Sequence, residues 1–196
     1  MLTDNLRSRF RLVMLFMASL LVVEALNMMF GRGLNAFAIV PRNTDTLLHI
    51  VTAPFLHKDF MHFVANIFVI GVLAFVLVGF GVKRFLTVTV LSILITGTLV
   101  WLFARDGAHL GASGLLYAFF GYILLAGLKS KSLKMVGASL IILFLYGGLF
   151  WGVLPSEPFV SWESHLFGLL TGLTIAALST SHSPAASKPI TNKFKL

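Results

Sequence analysis

Long apolar stretches separated by short polar segments are the dominant pattern along this chain. Each stretch is close to the ~20 residues that an α-helix needs to cross the ~30 Å hydrocarbon core of a bilayer. Helices are predicted because they satisfy their own backbone hydrogen bonds in lipid. The six stretches cover residues 12–30, 60–82, 85–104, 107–128, 135–154 and 159–179. The pattern predicts an all-α membrane protein, with a six-transmembrane-helix bundle over residues 1–180.

Composition supports a lipid environment over a soluble domain and excludes any chemistry that needs cysteine. Hydrophobic residues make up 58% of the chain and charged residues 11%, whereas a soluble domain has roughly 25% charged residues. The first stretch follows three arginines like a signal peptide, but it is long and lacks a convincing cleavage site, so we expect a retained helix. The chain has no cysteine, which excludes disulfides and thiolate metal sites.

The distribution of Lys and Arg predicts the orientation, because cytoplasmic loops carry an excess of them. Eleven basic residues fall on the side that holds both termini: Arg7, Arg9, Arg11, Lys83, Arg84, Lys129, Lys131, Lys134, Lys188, Lys193 and Lys195. The opposite side has Arg32, Arg42, Lys58 and Arg105. Both termini are therefore predicted to be cytoplasmic, with residues 181–196 a disordered basic tail beside anionic lipid. Since the basic residues lie at helix ends, the net charge of +8 does not indicate a nucleic-acid partner.

Polar residues of three non-adjacent predicted helices fall together in the outer half of the membrane. His62 and Asn66 are four residues apart, on one face of the second predicted helix, and His57 precedes them. Ser113 and His165 lie in the first turns of the fourth and sixth. Taken singly, a membrane serine is usually a helix-packing hydroxyl, and a histidine near a helix end is usually interfacial. Their common depth favours a site, because polar groups in lipid are costly.

These residue types fit nucleophilic catalysis without a metal or cofactor. A serine hydroxyl attacks a carbonyl only when a base accepts its proton, and imidazole is the usual base. Unpaired N–H groups at a helix N-terminus can stabilise an oxyanion, and His62 and Asn66 could donate to the same oxygen. The base would be His165 and the nucleophile Ser113.

Glycines beside these residues have predicted roles in backbone geometry and packing. Gly111 permits an unusual backbone before the serine, and Gly114 lets a neighbouring helix approach closely. Gly168 and Gly172, four residues apart, create a flat face for tight helix packing, which would bring His165 against the fourth helix.

The sequence resembles the rhomboid intramembrane serine proteases over residues 10–180. The match rests on "GASG", on the tyrosine one turn after its serine, on "HLFGLLTG" in the last helix and on "HKDFMHFVAN" in the second. The resemblance implies that Ser113 is the nucleophile and His165 the general base. It implies an oxyanion hole formed by His62, Asn66 and the Ser113 backbone. Tyr117 would stack on the His165 ring, and Gly111 would shape the loop before the serine.

The resemblance has two departures. Many rhomboids carry a Trp-Arg pair in the first external loop, where this chain has Leu48 and His49, so the loop at 31–58 is not expected to adopt the common arrangement. Ser164 precedes His165 where alanine is frequent. Glu24, the one charge in the first stretch, is interpreted as a buried structural carboxyl.

The leading hypothesis is an endopeptidase that cleaves transmembrane segments of other membrane proteins, working in the bilayer of a bacterial inner membrane with its site toward the periplasm or exterior. A non-catalytic rhomboid-like binder or chaperone of transmembrane helices is the alternative. A transporter or channel is disfavoured because paired intramembrane charges and inverted repeats are lacking. The glycine- and proline-rich segment at 145–159 predicts a lateral gate for substrates, with ordinary glycine packing as the competing interpretation.

Overall fold

The computed structural model describes residues 5–155 and 160–179, and the regular structure within them is helical. The helices are α1 (Leu6–Met29), α2 (His49–Thr52), α3 (Phe60–Val78), α4 (Val82–Phe103), α5 (Ser113–Leu128), α6 (Leu133–Tyr146) and α7 (Trp162–Leu178). Short 3-10 turns fill the first external loop, and a longer one, Gly147–Val153, continues α6. The predicted tail at 181–196 lies outside the described residues.

Local capping residues explain where two helices of the site begin. The Asp59 carboxylate accepts a hydrogen bond from the His62 amide at 2.8 Å at the start of α3. That bond lowers the pKa of Asp59, because it favours the ionised carboxylate. At the start of α7, the Ser161 hydroxyl accepts from the Ser164 amide at 3.4 Å. Both caps pair N–H groups that have no partner inside the helix.

Four helices of the described chain are long and apolar enough to cross a membrane: α1, α3, α4, and α6 together with its 3-10 extension. The fourth predicted stretch is helical only from Ser113, because residue His109 pairs with Ile39 in an isolated antiparallel bridge. The helix α5 is apolar but has 16 residues, and α7 has 17. The all-helical class is therefore observed, while the count of six crossings stays a prediction.

Helix α5 lies at the centre of the bundle. Of its 16 residues, 13 are buried, and the helices α3, α4, α6 and α7 all contact it. Helix α6 lies at the periphery, where only Ser139 and Ile142 are buried among its 14 residues. The exposed face of α6 is made of large apolar side chains such as Phe144, as expected of a surface that meets lipid.

Two glycines allow α7 to lie directly against α5. A Cβ atom on Gly168 would overlap the carbonyl oxygen of Gly114, and one on Gly172 would overlap the carbonyl oxygen of Ala118. A Cβ atom on Gly114 would in turn lie 3.3 Å from the carbonyl oxygen of Ser164. The backbones of the two helices are thus in contact, as small residues at a membrane helix interface permit.

Candidate active site

A cavity of about 800 Å³ lies where the N-terminal ends of α3, α5 and α7 meet. It has room for many water molecules. Charged side chains belong to its wall: Lys58, Asp59, Arg105 and Asp106. The predicted site residues that line it are His62, Asn66, Ser113, Tyr117 and His165. The three helices that carry these residues are far apart in sequence, so the cavity is where their chemistry can combine.

Ser113 is the first residue of α5, and the backbone before it is bent at Gly111. Gly111 has φ +125°, a conformation that side chains disfavour. A Cβ atom there would lie 2.8 Å from Cε1 and 3.0 Å from Nε2 of the His62 ring, and 3.8 Å from the Ser113 hydroxyl oxygen. Glycine at this position therefore makes the space in which the His62 ring sits beside Ser113.

The ring of His165 is held on one face and at one nitrogen. Tyr117 stacks on it with a centroid distance of 4.3 Å and an interplanar angle of 10°. The Nδ1 atom is 2.8 Å from the carbonyl oxygen of Gly152, and a carbonyl only accepts, so Nδ1 carries the proton. The Nε2 atom of the uncharged ring is then left with a free lone pair, as a general base requires.

Gly152 is a site residue that the sequence pattern did not single out for the ring of His165. A Cβ atom there would overlap the Tyr117 hydroxyl and lie 3.5 Å from His165 Nδ1. The Tyr117 hydroxyl itself donates to the carbonyl oxygen of Leu149 at 2.9 Å. The 3-10 extension of α6 thus supplies two carbonyl groups that fix the stacked pair of rings.

Asn66 lies one turn below His62 on the same face of α3. Its amide nitrogen donates to the His62 carbonyl oxygen at 2.8 Å, and its second hydrogen is left for another acceptor. Asn66, His62 and Ser113 border the same cavity. Donors from a side-chain amide and an imidazole therefore open onto the same cavity as the Ser113 hydroxyl.

A buried polar cluster supports the loop before Ser113 from the other side. The Ala112 amide donates to Nε2 of His57 at 3.3 Å. Nδ1 of His57 lies 3.6 Å from the Glu24 carboxylate, which pairs with Arg32 at 2.7 Å. Arg32 and Asn35 both donate to the His57 carbonyl oxygen. Glu24 is 2% exposed, so the cluster anchors the first external loop inside the protein.

His57 is uncharged in this cluster, which matches its acceptor role at Nε2. Burial, the His62 ring and the Arg32 guanidinium lower the pKa of His57 to about 3, against a smaller opposing effect of Asp59. Desolvation disfavours the imidazolium form of a buried histidine. The sequence indicated this histidine only by its place in the second-helix motif.

No group of three or more His, Asp or Glu side chains that could hold a metal ion occurs within residues 5–155 and 160–179.

Two polar residues beside the cavity were not predicted to interact: His109 and Ser161 are 2.6 Å apart. They are 52 residues apart in sequence, and no local pattern could have paired them.

Comparison with known proteins places this geometry in context. The family model described as "Rhomboid domain" matches residues 44–182. The uncharacterized protein Rv1337 of Mycobacterium tuberculosis is 32% identical over 175 residues, which cover 85% of this chain and 73% of that protein. The uncharacterized protein Mb1372 of Mycobacterium bovis matches to the same extent. The uncharacterized protein ML1171 of Mycobacterium leprae is 33% identical over 176 residues, 85% of this chain and 69% of that protein.

Proposed function

Because the chain belongs to the rhomboid family, we propose that it is an intramembrane serine endopeptidase that cleaves transmembrane segments of other membrane proteins. The observation that carries this proposal is the state of the His165 ring. Its Nδ1 proton is donated in a hydrogen bond to the Gly152 carbonyl oxygen, and one face of the ring is covered by Tyr117. The Nε2 lone pair is therefore left to accept from a hydroxyl. A helix binder without catalysis would not require this arrangement.

The reaction follows from the groups around the cavity. The Ser113 oxygen attacks the scissile carbonyl carbon while its proton passes to His165 Nε2. The resulting oxyanion accepts hydrogen bonds from His62, Asn66 and the backbone at the start of α5. His165 then protonates the leaving amine, and a water molecule hydrolyses the acyl ester by the same steps. Among the described residues no hydrogen bond joins Ser113 to His165, so that contact is expected to tighten when substrate binds.

The length of α5 supports a site below the outer membrane surface. Its 16 residues measure about 24 Å at 1.5 Å per residue, less than the ~30 Å core. Lys129, just after α5, donates to the carbonyl oxygens of Ala176 and Ala177. With that end at the cytoplasmic surface, Ser113 lies several ångströms inside the opposite face. The cavity above it admits the water that hydrolysis consumes.

Six crossings with both termini in the cytoplasm are part of this proposal. An enzymatic reporter that works only in the cytoplasm should be active when fused after Leu196 and silent when inserted after Pro155. The reverse result would move the site to the cytoplasmic half of the membrane.

The decisive experiment is cleavage of a panel of tagged transmembrane segments by the detergent-purified protein. Ser113→Ala and His165→Ala should each lower turnover by more than about 1000-fold, as the loss of a catalytic dyad member does. His182→Ala is the matched histidine control and should cleave like the wild type. Binding of the same segments by wild type and Ser113→Ala, with no cleavage by either, would replace the protease by the non-catalytic binder.

A further inference from the structure

His109 joins three segments that surround the site, and the mechanism above does not use it. Its backbone forms two hydrogen bonds with Ile39 of the first external loop, at 2.8 and 2.9 Å. Its ring is buried, with Nε2 2.9 Å from the Arg105 carbonyl oxygen and Nδ1 2.6 Å from the Ser161 hydroxyl oxygen. It therefore connects the first external loop, the α4–α5 loop and the start of α7.

The hydrogen bonds of this ring have a defined direction. The Arg105 carbonyl only accepts, so Nε2 carries a proton, and Nδ1 accepts from the Ser161 hydroxyl. The Ser161 oxygen is also 2.6 Å from the Ser164 hydroxyl oxygen and caps the Ser164 amide. A continuous chain of hydrogen bonds thus runs from the α4–α5 loop into the first turn of α7.

Arg105 makes a second connection between the same two segments. Its guanidinium donates to the Val160 carbonyl oxygen, and its Nε lies 3.3 Å from the buried carboxylate of Glu163. Its backbone amide reaches the same carboxylate at 3.4 Å. We call the four side chains of Arg105, His109, Ser161 and Glu163 the clasp.

Three of the four clasp residues line the same cavity as Ser113 and His165: Arg105, His109 and Ser161. His109 is four residues before Ser113 in the loop, and Ser161 is four residues before His165 at the start of α7. We propose that His109 is a positioning residue that fixes the start of α7 against the loop before Ser113, and so sets how His165 meets Ser113. This role rests on the proposed proteolytic function, since it matters only if the two groups react. A 1 Å misplacement of reacting groups can lower a rate by about 100-fold.

Kinetics of a cleaved tagged transmembrane segment test the proposal. His109→Phe and Ser161→Ala should each lower kcat by about 10- to 100-fold with KM nearly unchanged. The double variant should lose no more kcat than the single variant with the larger loss. His109→Asn should recover much of kcat, because its amide offers an acceptor and a donor. His49→Phe is the control, since His49 bonds the Ala38 carbonyl oxygen in the first external loop. A normal kcat in His109→Phe, or additive losses in the double variant, would overturn the positioning role.

A distance measurement decides the same point without any cleavage. Cysteines introduced at Ala108 and Leu170, both exposed in a chain with none of its own, carry spin labels on the loop and on α7. The distance distribution should broaden in His109→Phe and stay narrow in His49→Phe. An unchanged distribution in His109→Phe would refute the clasp.

The two proposals can fail separately. Suppose that the distance distribution is narrow in the wild type and broader in His109→Phe while no cleavage depends on Ser113. In that case the clasp does hold α7 in place, but its role in catalysis is refuted. If Ser113→Ala retains cleavage that Ser161→Ala removes, the His109–Ser161 pair is itself a nucleophile and base, and the positioning role is wrong.

Discussion

Replacing Gly168 by alanine should slow catalysis solely by changing the spacing of α5 and α7. The new Cβ atom would overlap the Gly114 carbonyl oxygen, and it would lie 3.0 Å from that carbonyl carbon and 3.2 Å from Gly114 Cα. Carbon atoms pack best at about 3.5–4.0 Å, so α7 must retreat by roughly 1 Å. A shift of that size at His165, one turn earlier, should lower kcat by about 100-fold, or about 2.7 kcal/mol of activation free energy.

The assay compares kcat for one tagged transmembrane segment in detergent across two alanine variants. Gly137→Ala is the matched control, because a Cβ atom at Gly137 on α6 meets nothing within 4 Å. Alanine is favoured over glycine in a helix by up to about 1 kcal/mol, so the control should be active and no less stable. Equal turnover by Gly168→Ala and Gly137→Ala would show that close α5–α7 contact does not set the reacting geometry.

Three other expectations concern the oxyanion, pH and substrate entry. His62→Ala or Asn66→Ala should lower kcat by roughly 100- to 1000-fold with little change in KM; full kcat in both variants would make α3 merely structural. His57 has its pKa lowered from 6.5 to about 3 in the fold, so the unfolded chain binds the proton first as pH falls. Unfolding in detergent should therefore become easier below about pH 6.5, by up to about 1.4 kcal/mol per pH unit, and His57→Gln should flatten that slope. Phe150→Ala or Trp151→Ala should speed cleavage, and a cysteine crosslink between α6 and α3 should block it; undiminished cleavage with a complete crosslink would remove the gate.

The 3-10 segment after α6 bears on that gate. A Cβ atom on Gly148 would meet nothing within 4 Å, and one on Gly147 would meet only a leucine side chain at 3.9 Å, so neither glycine packs tightly. Gly152 does pack tightly, against Tyr117. The Phe150 ring rests edge-on against Phe120 with centroids 5.4 Å apart. Movement of the segment would therefore disturb the Gly152 carbonyl group that bonds the His165 ring, so a gate at this segment would be coupled to the position of that ring.

Much of the fold and the clustering of its polar residues could be predicted because the signals are local. The longer helices follow runs of apolar residues, which the sequence shows directly. Once the N-terminal ends of α3, α5 and α7 are assigned to one side of the membrane, the polar residues in their first turns must lie at a similar depth in the bilayer. Gly111 lies two residues before α5, and glycine is the residue that most readily adopts the positive φ found there.

The rest depends on contacts between distant parts of the chain. Nothing near Gly152 in the sequence indicates that its carbonyl oxygen accepts a hydrogen bond from His165, since that segment is equally consistent with the end of a long helix. The pairing of Glu24 with Arg32 and His57 depends on how the first external loop folds back into the protein. Periodicity fixes which residues share a helix face, but it does not determine which faces of separate segments meet.

Burial of α5 on nearly every side divides the protein into a part that lipid touches and a part that it does not. Lipid thickness and composition constrain the residues of the outer helices. Helix α6 can accept many substitutions among its exposed apolar residues, because only two of its residues are buried. Helix α5, which begins at Ser113, is shielded from those demands. A saturation mutagenesis screen for activity can be repeated in hosts with thin and with thick membranes. The substitutions that α6 tolerates should differ between the hosts, whereas the same types of substitution on α5 should abolish activity in every host.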